Sequence, residues 1–321
     1  MSDLPVSASA DGSSELAALV EEAQSYASQA RSNNTIRAYR SDWRDFTAWC
    51  HGHRLVPLPA APETVVLYIA DMARTAKTAT IRRRMSSISV AHQAAGHDSP
   101  TNDLRVRSAW SGIRRVHGTA QVQKTALLTD DIRRMVAALP ESLTGHRDAC
   151  LLLLGFAAAL RRSELVGLDV EDVEPTPDGL IVTVRRSKTD QEGEGRQIGV
   201  PYGSDPATCP VRTFRRWVAS SSLQSGPLFR AVDRHGKLGV TRLSDRAVAL
   251  IVKRAAEAAG LDAAKVAGHS LRSGMATSAA RGGASEAAIM EITGHKSLPV
   301  LRRYIRRGTL FTDNAATKLG L

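Results

Sequence analysis

The sequence of 321 residues is long for one domain and long enough for two domains that each bury a core. Its 43% hydrophobic and 23% charged residues are typical of globular proteins, and no run approaches the roughly 18 apolar residues of a membrane span. No secretory signal opens the chain, so we expect a cytoplasmic protein without a membrane partner. Its three scattered cysteines argue against a disulfide framework and a zinc site, and we expect three free thiols.

The net charge of +11 is unevenly distributed along the chain. Residues 1–30 contribute −5, whereas residues 31–118 and 119–321 contribute +8 each. Two basic regions are expected of a protein that neutralises the phosphates of a DNA duplex. The alternative is a basic surface that serves only solubility.

The first part of the chain is predicted to be helical after a disordered leader at 1–14. Apolar residues then recur at spacings of three and four, which indicates amphipathic helices. We place these helices at 15–30, from Asn34 or Thr35 to about Cys50, at 62–72, at 78–95 and at 101–117. Together they predict a small, basic, all-helical domain over residues 15–118.

Arginines on the polar faces of these helices are candidates for DNA contacts. A run of arginines is equally typical of a solvated helix face, and three adjacent arginines cannot all point one way. The tryptophans at helical spacing are predicted to pack in the core and not to stack on bases. The candidate DNA-binding residues are Arg37, Arg40, Arg44, Arg82, Arg83 and Arg84, with Arg242 and Arg246 later in the chain.

Residues 119–126 have no clear period and are predicted to link this domain to a second one at 127–321. The second domain has one predicted β region, a hairpin of strands 180–184 and 196–200 around a charged turn at 187–195. Its remaining periodic segments predict helices at 129–139, 144–160, 210–220, 244–259, 270–281, 285–293 and 299–306, and a short tail helix at 312–319.

Polar motifs in this second domain point to phosphodiester chemistry. Cleaving a phosphodiester without metal requires a nucleophile, cationic donors around the phosphoryl oxygens and an acid for the leaving oxygen. Tyr304 is a candidate nucleophile, and the planar guanidinium groups of Arg161 and Arg272 are candidates to bind the oxygens. Lys188, on the turn of the hairpin, is a candidate to protonate the leaving oxygen.

The ordered motifs resemble those of the tyrosine site-specific recombinases of the phage integrase type, over residues 34–319. Within that family the chain looks most similar to the Cre recombinase branch, because of Trp49-Cys50 at a helix end and the Gly-His-Ser-x-Arg box. Cre carries Trp at the position of His295, so that residue follows the commoner family form. The motifs are Arg161-x-x-Glu164, Lys188 on the hairpin, His269-x-x-Arg272, Gly294-His295 and Tyr304.

The resemblance implies a mainly α fold with a small antiparallel β-sheet. A helical core-binding domain and a mixed α/β catalytic domain would form a C-shaped clamp on duplex DNA. Strands would be cleaved through a 3′-phosphotyrosine and exchanged through a Holliday junction, without metal or high-energy cofactor. The partners would be paired DNA sites, a homodimer on each site and a homotetramer in the synapse, with the tail at 308–321 docking into a neighbouring subunit.

The resemblance also assigns roles to single residues. Arg161 and Arg272 would stabilise the pentavalent phosphorus, His269 would assist proton transfer and Lys188 would be the general acid. His295 would donate to a phosphoryl oxygen, and Glu164 would orient the arginine and histidine cluster. Arg162 remains an alternative to Arg161, because only the spacing to Glu164 separates them.

Two other functions are alternatives, one with the same chemistry and one with the same fold. A type IB topoisomerase also forms a tyrosine-linked 3′-phosphate, but acts as a monomer that relaxes supercoils; the apolar tail after Tyr304 favours a recombinase. A catalytically silent DNA-binding protein is disfavoured by the intact set of candidate catalytic residues. These motifs do not predict the target DNA sequence or any accessory proteins. They also do not distinguish integration from excision or resolution.

Overall fold

A computed structural model describes residues 33–119, 124–185, 195–295 and 297–308, together with residues 22 and 319. The predicted leader and nearly all of the predicted helix at 15–30 and of the tail lie outside these residues. The chain divides into two compact units, residues 1–122 and 123–321. The finer boundaries at 15–118, 119–126 and 127–321 stay predictions.

The first unit is built from four described α-helices and a short 3-10 helix at Pro100–Asn102. The last of these helices, α4 at Leu104–His117, begins three residues later than predicted, because the side chain of Asp103 accepts a hydrogen bond from the backbone N–H of Arg105 and caps the helix. The apolar core of the first unit is formed by all four helices and includes Phe46, Tyr68, Ile81, Ile88 and Val106. The helices are α1 at Asn33–Gly52, α2 at Pro62–Ala73, α3 at Thr78–Ala94 and α4 at Leu104–His117.

The second unit combines helices with two small antiparallel sheets. Its described helices are α5 at Thr129–Ala137, α6 at Leu143–Ala157, α7 at Arg162–Gly167, α8 at Pro210–Ser221, α9 at Asp245–Ala258, α10 at His269–Arg281, α11 at Glu286–Thr293 and α12 at Leu298–Gly308. One sheet has the order β1 (Val173–Pro175), β2 (Gly179–Val184), β3 (Arg196–Pro201), and the other pairs β4 (Arg230–Val232) with β5 (Leu238–Arg242).

The predicted hairpin is present as β2 and β3. Leu180 pairs with Val200 and Val182 with Ile198, and all four side chains are buried in the core of the unit. Alternate residues of a strand share one face, so this register turns the apolar face of the hairpin inward. The mainly α fold with small antiparallel sheets is thereby confirmed.

The prediction of a single β region was wrong, because β4 and β5 form a second sheet. Both strands are short, and Val240 is exposed, so neither shows the apolar alternation on which the prediction rested.

The predicted helix at 144–160 also ends early, at Ala157. Ala159 has a φ of 49°, in the left-handed region, and turns the chain while Ala158, Ala159 and Leu160 stay buried. The apolar run therefore predicted burial correctly but not the turn.

Helix α10 is fixed by a close approach to the segment before α5. The backbone N–H of Leu127 donates to the carbonyl of Ser270 at 3.1 Å. A Cβ at Gly274 would lie 1.8 Å from the Leu127 carbonyl oxygen, so only glycine allows this contact. The contact holds the first turn of α10 in place, and that turn carries His269 and Arg272.

The cysteines and the helices of the described residues agree with two further predictions from the sequence. Cys50, Cys150 and Cys209 are free, as predicted, and all three are buried. None of the helices in the described ranges has the length and apolar character needed to span a bilayer.

Candidate active site

Four elements of the second unit bring six of the seven predicted catalytic residues into one cluster. The turn into α7 carries Arg161 and Glu164, and the first turn of α10 carries His269 and Arg272. The turn after α11 supplies His295, and α12 supplies Tyr304. Lys188 falls within 186–194 and lies outside the described residues.

Arg161, which is partly buried, and Glu164, which is buried, form an ion pair at the start of α7. The Glu164 carboxylate accepts a hydrogen bond from the Arg161 backbone N–H at 2.9 Å and also pairs with the Arg161 guanidinium. The carboxylate thus caps the first turn of the helix and orients the arginine at once.

Arg162 has a different environment from Arg161. Its side chain is 42% exposed and lies 3.8 Å from the Asp245 carboxylate. It also covers Gly268, where a Cβ would lie 2.3 Å from its Cδ. These contacts direct Arg162 toward α9, whereas Arg161 is held by Glu164.

Arg272 is the buried cation of the site. Its Nη1 donates to the carbonyl of Ala159 at 2.7 Å, and its Nη2 lies 3.5 Å from Nε2 of His295. Burial, followed by the neighbouring charge of Arg161, lowers the pKa of Arg272 to about 10. The side chain is therefore still charged at neutral pH. The turn at Ala159 has a direct use here, because it supplies the carbonyl that anchors this guanidinium.

His295 is held in one tautomer by its neighbours. Arg272 can only donate, so Nε2 of His295 accepts and Nδ1 carries the proton. Nδ1 then donates to Oγ1 of Thr293 at 2.8 Å, and the Thr293 hydroxyl donates to the Ile289 carbonyl at 2.6 Å. Burial, and then the charge of Arg272, lowers the pKa of His295 to about 4. The ring is therefore neutral at pH 7.

The turn that presents His295 depends on Gly294. This glycine ends α11 with a φ of 59°, and its N–H donates to the Met290 carbonyl at 2.7 Å. A left-handed glycine is a common way to end a helix and redirect the chain. The Gly-His pair of the sequence therefore has a structural reason: glycine makes the turn and histidine faces the cluster.

His269 and Tyr304 are in direct contact. Nε2 of His269 lies 2.9 Å from the Tyr304 hydroxyl. Loss of surrounding water, and then the charges of Arg272, Arg161 and Arg162, lowers the pKa of His269, although the residue as a whole remains exposed. A neutral imidazole at this distance can accept the proton of a phenol.

Tyr304 is carried by a helix that packs on the rest of the site. Leu301 of α12 is fully buried against Ala276 and Ala280 of α10 and Ile289 of α11. Tyr304 is partly buried beside this cluster, with its ring centroid 5.9 Å from that of His295. The apolar packing of α12 therefore sets the position of the hydroxyl group.

Two residues of the cluster were missed by sequence reasoning. Arg196, at the start of β3, lies with Nη2 3.2 Å from the Glu164 carboxylate and donates from Nη1 to the Ile292 carbonyl. Thr293 holds the His295 ring. The sequence signal for Arg196 was a charge at the first position of a predicted hairpin strand, but its partners are 32 and 96 positions away. Thr293 had only its place before Gly294-His295.

The candidate DNA-binding arginines fall into two groups. Three are engaged inside their own unit: Arg83 makes two hydrogen bonds to Asp42, Arg84 pairs with Asp45, and Arg242 donates to the Val166 and Leu168 carbonyls. Their side chains therefore help to hold the fold together. Arg83 and Arg242 are nevertheless exposed, and the role of all eight arginines in DNA binding stays a prediction. The other five are also exposed: Arg37, Arg40, Arg44, Arg82 and Arg246.

Comparison with known proteins places this cluster in a family. The phage integrase family model matches residues 125–309, and the phage integrase N-terminal SAM-like domain matches residues 25–98. An integrase/recombinase XerD homolog of Selenomonas ruminantium is 44% identical over 295 residues, covering 91% of this chain and 86% of the relative. The tyrosine recombinase XerD of Caulobacter vibrioides is 29% identical over 290 residues, covering 86% of this chain and 87% of the relative.

A solved structure shares the fold. The lambda integrase dimer bound to a COC′ core site matches with a TM-score of 0.61 and 18% identity, covering 89% of this chain and 75% of that chain. The predicted affinity to the Cre branch is not supported by these matches, since the relatives are named for XerD. The chain belongs to the phage integrase family and is a tyrosine recombinase.

Proposed function

We propose that the protein is a site-specific DNA recombinase that cleaves and rejoins strands through a covalent 3′-phosphotyrosine at Tyr304. The contact of 2.9 Å between the Tyr304 hydroxyl and Nε2 of His269, beside the buried charge of Arg272, carries this proposal. The hydroxyl has an acceptor for its proton, and the attacked phosphate has a fixed cation beside it. The reaction is proposed to need neither metal nor high-energy cofactor, because the phosphotyrosine conserves the energy of the broken bond.

In the proposed cleavage step the Tyr304 oxygen attacks the scissile phosphorus while its proton passes to His269. A bond forms between phosphorus and the tyrosine oxygen, and the bond between phosphorus and the 5′-oxygen breaks. The departing oxygen takes a proton from Lys188, the residue that falls outside the described part of the chain. Rejoining reverses these steps with a 5′-hydroxyl of the partner strand.

The developing charge on the phosphoryl oxygens is proposed to be stabilised by two arginines. Arg272 is buried and anchored to Ala159, and Arg161 is held by Glu164, so neither has to reorganise when charge builds up. We assign this role to Arg161 and not to Arg162, because Arg162 lies toward Asp245 and over Gly268. Glu164 is proposed to orient Arg161 without contacting DNA.

His295 is proposed to change its protonation state when DNA binds. In the free protein Nε2 accepts from Arg272, so it cannot donate to a phosphate. A phosphodiester beside the ring adds a negative charge, which raises the pKa of an imidazole. Protonated His295 would keep its bond to Thr293 through Nδ1 and donate from Nε2 to a phosphoryl oxygen.

The proposed partners are duplex DNA with paired recombination sites and further copies of this chain. Lambda integrase has been solved as a dimer on a core site and as a tetramer on a Holliday junction, the latter with a TM-score of 0.57 to this chain. By analogy we propose a homodimer on one site and a homotetramer in the synapse, acting in the bacterial cytoplasm. Relatives named as recombinases favour this function over DNA relaxation by a topoisomerase.

A nicked suicide substrate tests the proposed chemistry. A duplex that bears candidate sites and loses its 5′-hydroxyl strand after cleavage should trap the protein as an adduct at the 3′-phosphate. Tyr304→Phe should abolish the adduct and leave site binding within about twofold, because only one hydroxyl is lost from an electrostatic interface. Tyr202→Phe, which alters another tyrosine of the same unit, is the matched control and should form the adduct normally. An adduct formed by Tyr304→Phe would refute the assignment.

A further inference from the structure

Arg196 stands at the centre of three parts of the active site that are distant in sequence. It is the first residue of β3 and reaches Glu164 through Nη2 at 3.2 Å. Through Nη1 it donates to the carbonyl of Ile292, in the last turn of α11. One guanidinium therefore joins the strand, the start of α7 and the end of α11.

The same group also packs against the turn that presents His295. A Cβ built at Gly294 would lie 3.1 Å from Nη1 and 3.2 Å from Cζ of Arg196. The left-handed glycine thus lies directly on the guanidinium, one residue before His295. Any shift of Arg196 would be transmitted to this turn through both the carbonyl of Ile292 and the backbone of Gly294.

The burial of Arg196 is poorly explained by stability alone. Desolvation is the main effect on its guanidinium and lowers its pKa, with Glu164 acting in the opposite direction. Buried ion pairs contribute little net stability over apolar residues of similar size, but they fix geometry well. The planar fork of arginine can meet two acceptors at a set angle, which suits a residue whose task is to hold two elements in register.

We propose that Arg196 is a positioning residue for the strand-cleavage step, acting through His295. By joining the end of α11 to Glu164, it sets the position of the His295 ring relative to Arg161, which the same carboxylate orients. This inference rests on the proposed function, since it concerns the rate at which Tyr304 forms its adduct. Arg196 itself is not expected to touch the phosphate.

The test is a double-mutant cycle on the rate of adduct formation. Arg196→Met should slow single-turnover adduct formation by about 10- to 100-fold, the cost of misplacing a catalytic group by about 1 Å. In a His295→Ala background the same substitution should slow the reaction by less than about threefold, because the residue through which it acts is gone. Multiplied losses in the double variant would show that Arg196 acts independently of His295 and would overturn the proposal.

Two further variants separate geometry from charge and from folding. Arg185→Met removes another ion-paired arginine of the same hairpin, one whose side chain is 59% exposed, and should leave the rate unchanged. Arg196→Lys keeps the charge but cannot span both acceptors, so full recovery of the rate would overturn the geometric role. Binding to a half-site should stay within about twofold in every variant. If binding and thermal stability fell together with the rate, Arg196 would be merely structural.

A measurement without turnover covers the case of very slow variants. In protein labelled with ¹⁵N-histidine, Arg196→Met should shift the ring signals of His295 and Arg185→Met should not. Unchanged His295 signals would overturn the proposal. Absence of any adduct with the unmodified chain would instead refute the proposed function of Tyr304, so the two failures are distinguishable.

Discussion

The Thr293 hydroxyl is the only described acceptor for Nδ1 of His295, and Thr293→Val removes it while keeping the shape of the side chain. The residue is fully buried, and its hydroxyl donates onward to the Ile289 carbonyl. In the variant the imidazole loses the bond that fixes its tautomer and its orientation. We expect slower adduct formation with little change in DNA binding.

The size of the effect follows from one hydrogen bond. A neutral hydrogen bond contributes a net of about 0.5–1.5 kcal/mol. If this stabilisation is expressed in the transition state, its loss slows the reaction by about 2- to 13-fold, since about 1.4 kcal/mol corresponds to a factor of ten. The free energy of unfolding should fall by about 1–3 kcal/mol, because valine keeps the shape of the side chain but leaves Nδ1 of His295 without its acceptor.

Thr293→Ser is the matched control, because it keeps the hydroxyl and deletes a buried methyl group. It should lower the free energy of unfolding by about 1 kcal/mol and leave the rate nearly intact. Both variants should therefore lose stability in urea denaturation, but only Thr293→Val should slow single-turnover adduct formation. If Thr293→Ser were as slow as Thr293→Val, or if Thr293→Val kept the full rate, the hydroxyl would not position His295.

Three other predictions follow from the same contacts. Arg272→Lys should slow adduct formation more than about 100-fold and cost about 1–3 kcal/mol of stability, because lysine has no fork and leaves the Ala159 carbonyl without its donor. Gly274→Ala should destabilise the second unit by about 1–3 kcal/mol in thermal unfolding, whereas Gly112→Ala, with open space around its Cβ, should not. Since the folded pKa of His295 is about 4 and its ordinary value is 6.5, the unfolded chain binds this proton first. The free energy of unfolding should therefore fall as the pH is lowered from about 7 to about 4. His295→Gln should make the free energy of unfolding depend less on pH in this range.

Much of the fold was accessible from the sequence because its signals are local. The apolar alternation of β2 and β3 and the stripe on α1 that ends in Phe46 and Cys50 depend on neighbours within a few positions. The motif residues were accessible for another reason, since their order and chemical type resemble a known family. The turn at Ala159 and the sheet of β4 and β5 had neither kind of signal.

The contacts that orient the catalytic side chains were beyond sequence reasoning. Arg196 meets Glu164 and Ile292 only after three segments have folded together, and Arg272 finds the Ala159 carbonyl across 113 positions. None of these three partners is distinguished by its residue type, since one is a helix-capping glutamate and two are backbone carbonyls. The spacing of motifs in a sequence can predict which side chains contact a substrate. The groups that orient those side chains can be identified only from the packed structure.

The charge balance of the cluster explains why these supports are needed. Arg161, Arg196 and Arg272 lie around one carboxylate, Glu164. Burial is the main cause of the lowered pKa of Arg272 and of both histidines, and the charges of neighbouring arginines lower these pKa values further. Such a group of cations is unfavourable without an anion and would spread apart on flexible side chains. Anchors at the Ala159 and Ile292 carbonyls prevent this, so the fold maintains a positive site before DNA arrives. A phosphodiester that enters then relieves the repulsion and raises the pKa of His295, so that binding itself would convert this histidine from an acceptor into a donor.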